Sequence, residues 1–240
     1  LKFTDWRGSF WLLTVAGLAC LVLSILYQET LPADEKYEGS VPGAIGRLFT
    51  VAKNKSFIVP CLLFSLYNLA FMGYISMSSY IYVDYFGLSE QTYSFFFATN
   101  AALSMIGPMS YVKFFSNANK KKFAAVCFSI YAVCGVAIIL VGGLHPALFW
   151  LGFAPFSLMG TITRPFSTNI LLDQQTGDTG SASSLINGVA TVFGSIGMVT
   201  ASLFGNIVFG LGFIIFASGV ISLTGWVLLM KSSLPLKGVK

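Results

Sequence analysis

An uncharged stretch of 28 residues constrains the fold of this chain more than any other feature of its sequence. It occupies residues 56–83, between Lys55 and Asp84, and reads SFIVPCLLFSLYNLAFMGYISMSSYIYV. As an α-helix it would be about 42 Å long, which exceeds the ~30 Å thickness of a bilayer's hydrocarbon core. The stretch therefore predicts a transmembrane helix.

Polar side chains interrupt this helix on one side. The four that fall close to one helical face, and the three beside it, are Ser65, Asn68, Ser76 and Ser79, with Tyr67, Tyr74 and Ser78. Polar groups inside a membrane cost free energy unless they face protein or water. This face therefore either lines an aqueous cavity or bonds neighbouring helices together, and the sequence leaves both alternatives open.

Charges and turn residues delimit six further apolar segments along the chain. They are residues 8–28, 92–112, 123–141, 147–170, 180–203 and 210–230. A polar connector, residues 29–55, follows the first segment, and its second half, VPGAIGRLFTVAKN, predicts a short amphipathic helix on the membrane surface. Together the segments predict an all-α fold, an integral membrane helical bundle with seven transmembrane helices.

The composition agrees with a membrane protein. Only 10% of the residues are charged, against about 25% in soluble domains, and the mean hydropathy is +0.78. All four cysteines lie within apolar segments, where they act as small hydrophobic residues rather than disulfides or metal ligands. Because the chain has no initiator Met and enters an apolar segment almost directly after Leu1, we expect it to be part of a longer protein.

The basic residues predict the orientation of the helices. Twelve of the 14 Lys and Arg residues fall on one side of a seven-helix serpentine, and only Lys2 and Arg7 fall on the other. An excess of Lys and Arg marks the cytoplasmic side of a membrane protein. We therefore expect a multi-pass plasma-membrane protein with its N-terminus outside and its C-terminus in the cytoplasm. This distribution also replaces nucleic-acid binding as the explanation of the basic isoelectric point.

Two other segments carry polar residues that need partners. Asn100 and Ser104 stand at helical spacing, where they either bond helices together or bind a ligand. Arg164 stands near the cytoplasmic end of its segment, where it either reaches the interface with its long side chain or faces a cavity. Asn169, just over one turn further on, also needs a hydrogen-bond partner.

Segment 180–203 is rich in small residues. The pairs Ser184/Gly188 and Ala190/Gly194 have the spacing that lets two helix backbones approach closely in lipid. The pattern predicts close helix packing, and a surface that slides during a conformational change is the alternative.

The sequence lacks the motifs of several kinds of catalysis and ligand binding. No segment has Asp or Glu at its centre, and the lone His145 lies in an outer turn, where we expect a structural role. The sequence shows no nucleophile–base arrangement, no HExxH metal motif, no phosphate-binding loop and no dinucleotide fingerprint. We therefore expect no enzyme activity, no catalytic or metal site, no cofactor and no nucleic-acid partner.

Several motifs resemble one family of transporters. The segment FMGYISMSSYIYVDYFGLSEQTYSFFFATNAALSMIG, residues 71–107, is similar to the seventh and eighth spans of bicyclomycin-resistance (Bcr/CflA-type) drug:proton antiporters of the major facilitator superfamily. Its matching elements are Tyr74-Ile75-Ser76-Met77-Ser78, Gly87-Leu88-Ser89 and the stretch from Asn100 to Gly107. TDWRGSFW and QETLP resemble the two ends of the family's sixth span, and RPFSTN with GDTGSASSLIN its tenth and eleventh spans.

The resemblance covers the whole chain and implies a major-facilitator-type C-terminal half, spans six to twelve. Residues 1–28 would be the sixth span, 29–55 a cytoplasmic connector, 56–230 a six-helix half and 231–240 a cytoplasmic tail. The implied function is secondary active multidrug efflux by proton antiport and alternating access. The implied partners are a hydrophobic or cationic drug-like solute, protons, the lipid bilayer and the missing N-terminal half.

The predicted solute-binding residues lie on the second, third and fifth segments. They are Tyr67, Asn68, Tyr74, Ser76, Ser79, Asn100, Arg164 and Asn169. Two alternatives remain, a seven-span receptor-like protein and a membrane fragment that does not transport. A retinal protein is disfavoured because no segment contains the Lys that its Schiff base needs.

The predicted orientation is tested by labelling single cysteines in a background without the native ones. Cysteine at Asn117 should react with a membrane-impermeant thiol reagent only from the cytoplasm, and cysteine at Ser89 only from outside, because the Lys and Arg excess lies on the Asn117 side. The measurement is labelling of intact cells against inside-out vesicles. Reversed labelling would contradict the orientation.

Overall fold

The computed structural model describes residues 6–28, 39–175 and 177–239, and within these ranges it contains helices and no strand. The chain divides into two units, Leu1–Ser40 and Val41–Lys240. The first unit contributes one described helix, and the second contains the remaining seven. The all-α prediction is confirmed.

Eight helices are described in these ranges. They are α1 (Trp6–Leu26), α2 (Val41–Lys53), α3 (Lys55–Ser79), α4 (Glu90–Ser110), α5 (Lys120–Ala137), α6 (Pro146–Asp173), α7 (Thr179–Ser202) and α8 (Ile207–Lys231). Wider π-helical turns extend α3, α4 and α5, over Tyr80–Tyr85, Tyr111–Phe115 and Ile138–Gly142. Each apolar segment of the sequence is a helix, and α2 occupies the predicted amphipathic part of the connector.

Five of these helices are long and apolar enough to cross a membrane. They are α3 and α5 with their π-helical turns, α6, α7 and α8. Phe10–Leu26 in α1 is a shorter apolar helix, and α4 falls outside the five. The first half of α4 is less apolar because it carries Glu90, Gln91 and Thr92 in its first turn and Thr99 and Asn100 further on.

Each helix from α3 to α8 begins with a side chain that accepts a hydrogen bond from a free backbone N–H of the first turn. These capping residues are Asn54, Ser89, Asn119, His145, Asp178 and Asn206. Such a cap stabilises a helix by about 1 kcal/mol. His145 accepts from the backbone N of Ala147 at 3.2 Å, which gives this histidine a structural role as a helix cap.

Helix α3 lies at the centre of the second unit, with α6, α7 and α8 packed around it. Its closest crossing is with α7, where Gly197 lies directly against the backbone carbonyl of Leu69. A Cβ at Gly197 would overlap that carbonyl oxygen. Gly197 and Gly194 of α7 therefore pack closely against α3, while a Cβ at Gly188 has nothing within 4 Å, so the predicted pair Ser184/Gly188 takes no part in this contact.

Hydrogen bonds connect α8 to α3 and to α5. Ser222 donates to the backbone O of Leu63 in α3 at 3.0 Å. The indole N–H of Trp226 donates to the backbone O of Lys121 in α5 at 3.1 Å. Buried polar side chains thus have partners where α8 packs most tightly, which satisfies their hydrogen-bonding needs in an apolar setting.

One glutamine ties three parts of the chain together beyond the end of α6. The side-chain N–H groups of Gln174 donate to the backbone O of Ile170 at 2.8 Å and of Lys237 at 3.2 Å. Its side-chain oxygen accepts from the backbone N of Lys237 at 2.9 Å, and its backbone O accepts from Asn54 at 3.0 Å. The start of α3, the end of α6 and the tail after α8 are therefore held together at this end, which we call the basic end because it carries Lys120–Lys122.

Helix α2 docks on the start of α7 at the same end. The Arg47 guanidinium lies 3.6 Å from the Asp178 carboxylate, and Asp178 also accepts from the backbone N of Ser181 at 3.0 Å. Partial burial raises the pKa of Asp178, but its hydrogen bonds with Ser181 and the charge of Arg47 outweigh that effect and leave the pKa lowered. The pair is substantially exposed, so it contributes less than about 1 kcal/mol to stability.

The crossing of α3 and α7 is tested by two matched glycine substitutions. Gly197→Ala should lower the melting temperature of the purified protein, because its methyl group meets the Leu69 carbonyl and overpacking of this kind costs about 1–3 kcal/mol. Gly188→Ala on the same helix is the control, since a Cβ there has nothing within 4 Å. Equal melting temperatures for the two variants would contradict the close crossing.

Candidate functional site

A polar groove lies where α3, α6 and α7 meet. Two adjoining cavities of about 120 Å³ and 210 Å³ share the residues of its wall. The shared residues, which define the groove, are Tyr67, Asn68, Arg164, Asn187 and Ala190. Ligand pockets generally exceed about 300 Å³. Each cavity is smaller than that, so neither alone has the volume of a typical ligand pocket.

Helix α3 contributes an aromatic ring and an amide. Tyr67 is 9% exposed, and its ring lies directly on Gly160, where a Cβ would overlap it. The Tyr67 hydroxyl lies 3.5 Å from the backbone O of Ser157, to which it donates. Asn68, the next residue, is half-buried and lines both cavities. The lack of a side chain at Gly160 therefore lets α3 and α6 approach closely enough to place Tyr67 in the wall.

Helix α6 contributes the charge. Arg164 stands one turn after Gly160, so the two residues share a face of the helix. It lines both cavities and is exposed within the described unit. This position agrees with the cavity, one of the two alternatives that the sequence left open for this arginine, and its role stays a prediction. Deeper in the wall, the Tyr131 hydroxyl donates to Thr163 at 3.3 Å, which links α5 to the same face of α6.

Helix α7 contributes a polar stripe that the sequence reading missed. Its members, spaced four residues apart, are Ser183, Asn187, Thr191 and Ser195. All four line at least one of the two cavities. The last three donate to the backbone oxygen four residues earlier, at 2.8–3.0 Å. The four-residue spacing of these polar residues is visible in the sequence, but the small residues of the same helix indicated packing instead.

The groove contains three of the eight predicted site residues: Tyr67, Asn68 and Arg164. Two others are buried in the helix packing. Tyr74 is fully buried and stacks on Phe153 with ring centroids 3.8 Å apart. Asn100 is 4% exposed, and its side-chain oxygen has no hydrogen-bond partner among the described residues.

The remaining three predicted residues lie away from the groove. Ser76 is half-buried and Ser79 is exposed, and neither lines either cavity. Asn169 is exposed and lies beside the Tyr111 hydroxyl at the end of α4. Ser104, the helical neighbour of Asn100, lies 3.2 Å from Ser157 on α6, which supports a role in helix bonding for that pair.

The groove is positively charged. Arg164 is the only charged residue among those that line the two cavities in the described part of the chain. The described residues also contain no group of three or more His, Cys, Asp or Glu side chains that could hold a metal ion. The residues that line the two cavities offer one cation, amides, hydroxyls and aromatic rings for non-covalent contacts.

The groove is open on the side of α7. In an 18-residue apolar stretch of α7 only 17% is buried, against 39–50% in the corresponding stretches of the other four long apolar helices. Asn187, Thr191 and Ser195 are exposed within the described unit. Polar side chains in a membrane-crossing helix need cover by protein or water. The second unit therefore presents an incomplete polar surface along α7.

Five helices long and apolar enough to cross a membrane, three of which surround an open polar groove, are typical of a polytopic membrane protein. The sequence model of the Major Facilitator Superfamily matches residues 1–198. The chain belongs to this superfamily of membrane transporters, which confirms the resemblance at that level. The Bcr/CflA-type subgroup stays a prediction.

A curated relative agrees with this assignment. It is described as an uncharacterized MFS-type transporter, YdgK, of Bacillus subtilis (strain 168). The two are 23% identical over 224 residues, which cover 92% of this chain and 56% of the relative. The chain thus spans about half the length of this curated relative.

Proposed function

We propose that this chain is the C-terminal half of a secondary active transporter, in which the groove forms one wall of the solute pathway. The single observation that carries the proposal is the polar groove between α3, α6 and α7, which opens along an unburied polar helix face. Alternating access needs a second half that rocks against such a surface around a site near the bilayer midplane.

The position of the groove along the helices supports this role. Asn68 is the fourteenth residue of the 25 in α3, so it lies near the middle of that helix. Arg164 precedes the last residue of α6, Asp173, by nine positions, or roughly 14 Å along the helix axis. A groove at this depth lies near the middle of the helices, where a site for alternating access is expected.

The proposed partner is an N-terminal half with five further spans. The 56% coverage of the curated relative and the open face of α7 both support a missing half. The corresponding division of the chain is a sixth span in 1–28, a connector in 29–55, a six-helix half in 56–230 and a tail in 231–240. A full-length protein without further spans ahead of Leu1 would overturn this part of the proposal.

The resemblance extends the proposal to multidrug efflux by proton antiport across the plasma membrane. The basic end would face the cytoplasm, with the N-terminus of this chain outside. No carboxylate lines the groove among the described residues, so a proton-carrying acid would belong to the other half. Tyr67, Phe71 and Tyr131 give the groove aromatic surface for a hydrophobic solute.

The role of the groove is tested in the full-length protein by replacing Asn68 with Leu. Efflux of Nile red, a neutral hydrophobic dye, should fall severalfold, because Asn68 supplies a hydrogen-bonding group to both cavities. The melting temperature should stay within a few degrees of the wild type, since hydrogen bonds between membrane helices average only about 0.6 kcal/mol. The assay is dye efflux beside a melting curve.

Ser76→Val is the matched control, because Ser76 lies on α3 outside the groove. It should leave efflux unchanged. Unchanged efflux with a lowered melting temperature for Asn68→Leu would assign Asn68 to packing. A wild-type protein that does not export Nile red would contradict the drug-efflux part of the proposal.

A further inference from the structure

We propose that Arg164 anchors an acidic group of the solute, so that the groove takes hydrophobic organic anions such as aromatic carboxylates. The inference rests on the proposed transport function and narrows its solute class. It differs from the hydrophobic or cationic preference that the family resemblance implies, because it follows from the charge of this groove.

The first argument is the sign of the charge. A cation inside a membrane-crossing helix costs free energy unless it faces a cavity or an anion. Arg164 faces the groove, and no Asp or Glu lines either cavity among the described residues. The described residues include no ion pair to Arg164, and the ion pairs Arg47–Asp178 and Lys120–Asp173 lie at the basic end. A bound anion supplies the missing opposite charge.

The second argument is the supply of hydrogen-bond donors around Arg164. The guanidinium offers a planar fork that matches a carboxylate in bidentate fashion. The amide of Asn187 uses one N–H for the backbone O of Ser183, at 3.0 Å, and has a second to offer. Asn68 adds its amide to the same wall. An anion with two oxygens therefore finds donors on all three helices of the groove.

The third argument concerns the rest of the solute. The rings of Tyr67 and Phe71 stack with centroids 5.3 Å apart, and Phe71 lines the same cavity as Arg164. Tyr131 lines the other cavity that Arg164 reaches. Apolar ring surface next to a fixed cation suits a molecule with an aromatic body and one acidic group. A simple organic cation would meet the charge of Arg164 at short range and be disfavoured.

The alternative anion for Arg164 is a carboxylate that belongs to the other half of the transporter. It would neutralise Arg164 without any role in solute choice. The two sources differ in what removal of the charge does. If the solute supplies the anion, only acidic solutes lose affinity. If the other half supplies it, acidic and neutral solutes are affected alike.

The test measures binding to the purified full-length protein at neutral pH by equilibrium dialysis. The probes share one aromatic body and differ in charge: 1-naphthylacetate, 1-naphthylacetamide and (1-naphthylmethyl)trimethylammonium. The wild type should bind the acid at least about tenfold more tightly than the neutral amide, the size expected for a charged hydrogen bond. The trimethylammonium probe should bind most weakly.

Two substitutions at Arg164 and one control complete the test. Arg164→Gln should reduce the affinity for the acid to that for the amide and leave the amide within about twofold, while Arg164→Lys should keep part of the preference. Lys113→Gln removes an exposed cation outside the groove and should change nothing. Lack of acid preference in the wild type, or its survival in Arg164→Gln, would overturn the proposal.

Equal loss of affinity for all three probes in Arg164→Gln would also overturn it, because that result assigns the arginine to a carboxylate of the other half. The binding assay does not depend on transport. A protein that binds naphthylacetate through Arg164 but moves no dye would therefore contradict the proposed function and leave the anion site standing.

Discussion

The backbone contact between α3 and α7 is the constraint on which the groove depends. Gly197 lies against the carbonyl of Leu69, and Gly73 and Gly194 lie along the same crossing, where a Cβ would come within 3.1 Å of the Gly197 carbonyl oxygen and 2.8 Å of the Met72 side chain, respectively. Asn187 and Ala190 lie next to these glycines on α7 and line the groove. The groove is thus a consequence of packing: small residues of α7 set the distance to α3, and the neighbouring Asn187 supplies the chemistry.

A second close contact sets the other wall. Because Gly160 leaves room for the ring of Tyr67, α6 approaches α3 closely and brings Arg164 beside Asn68. The cost of an arginine in a membrane-crossing helix is tolerable here because the guanidinium meets a polar cavity rather than lipid. Two glycines, Gly197 and Gly160, therefore set the helix distances on which the proposed solute wall depends.

The sequence predicted the helices well because apolar segments of this length have one stable state in a membrane. It predicted less well which residues of each helix face the groove. Tyr67 and Tyr74 are seven residues apart on α3, yet Tyr67 lines the groove while Tyr74 stacks on Phe153 in the core. Periodicity places residues on a face, but the neighbouring helix decides whether that face is buried at a given depth. The polar residues of α7 that include Thr191 recur every four positions in the sequence, but the small residues beside them suggested packing instead.

The most direct test of the groove as a water-filled pathway compares two neighbouring positions of α7 in the membrane. Thr191 lines the groove, while Val192 is exposed on an adjoining face and lines neither cavity. In a full-length protein without its native cysteines, Thr191→Cys should react with a membrane-impermeant maleimide and Val192→Cys should not, and a transported solute should slow the reaction at 191. Equal reaction at both positions, or none at 191, would contradict an aqueous pathway along this face of α7.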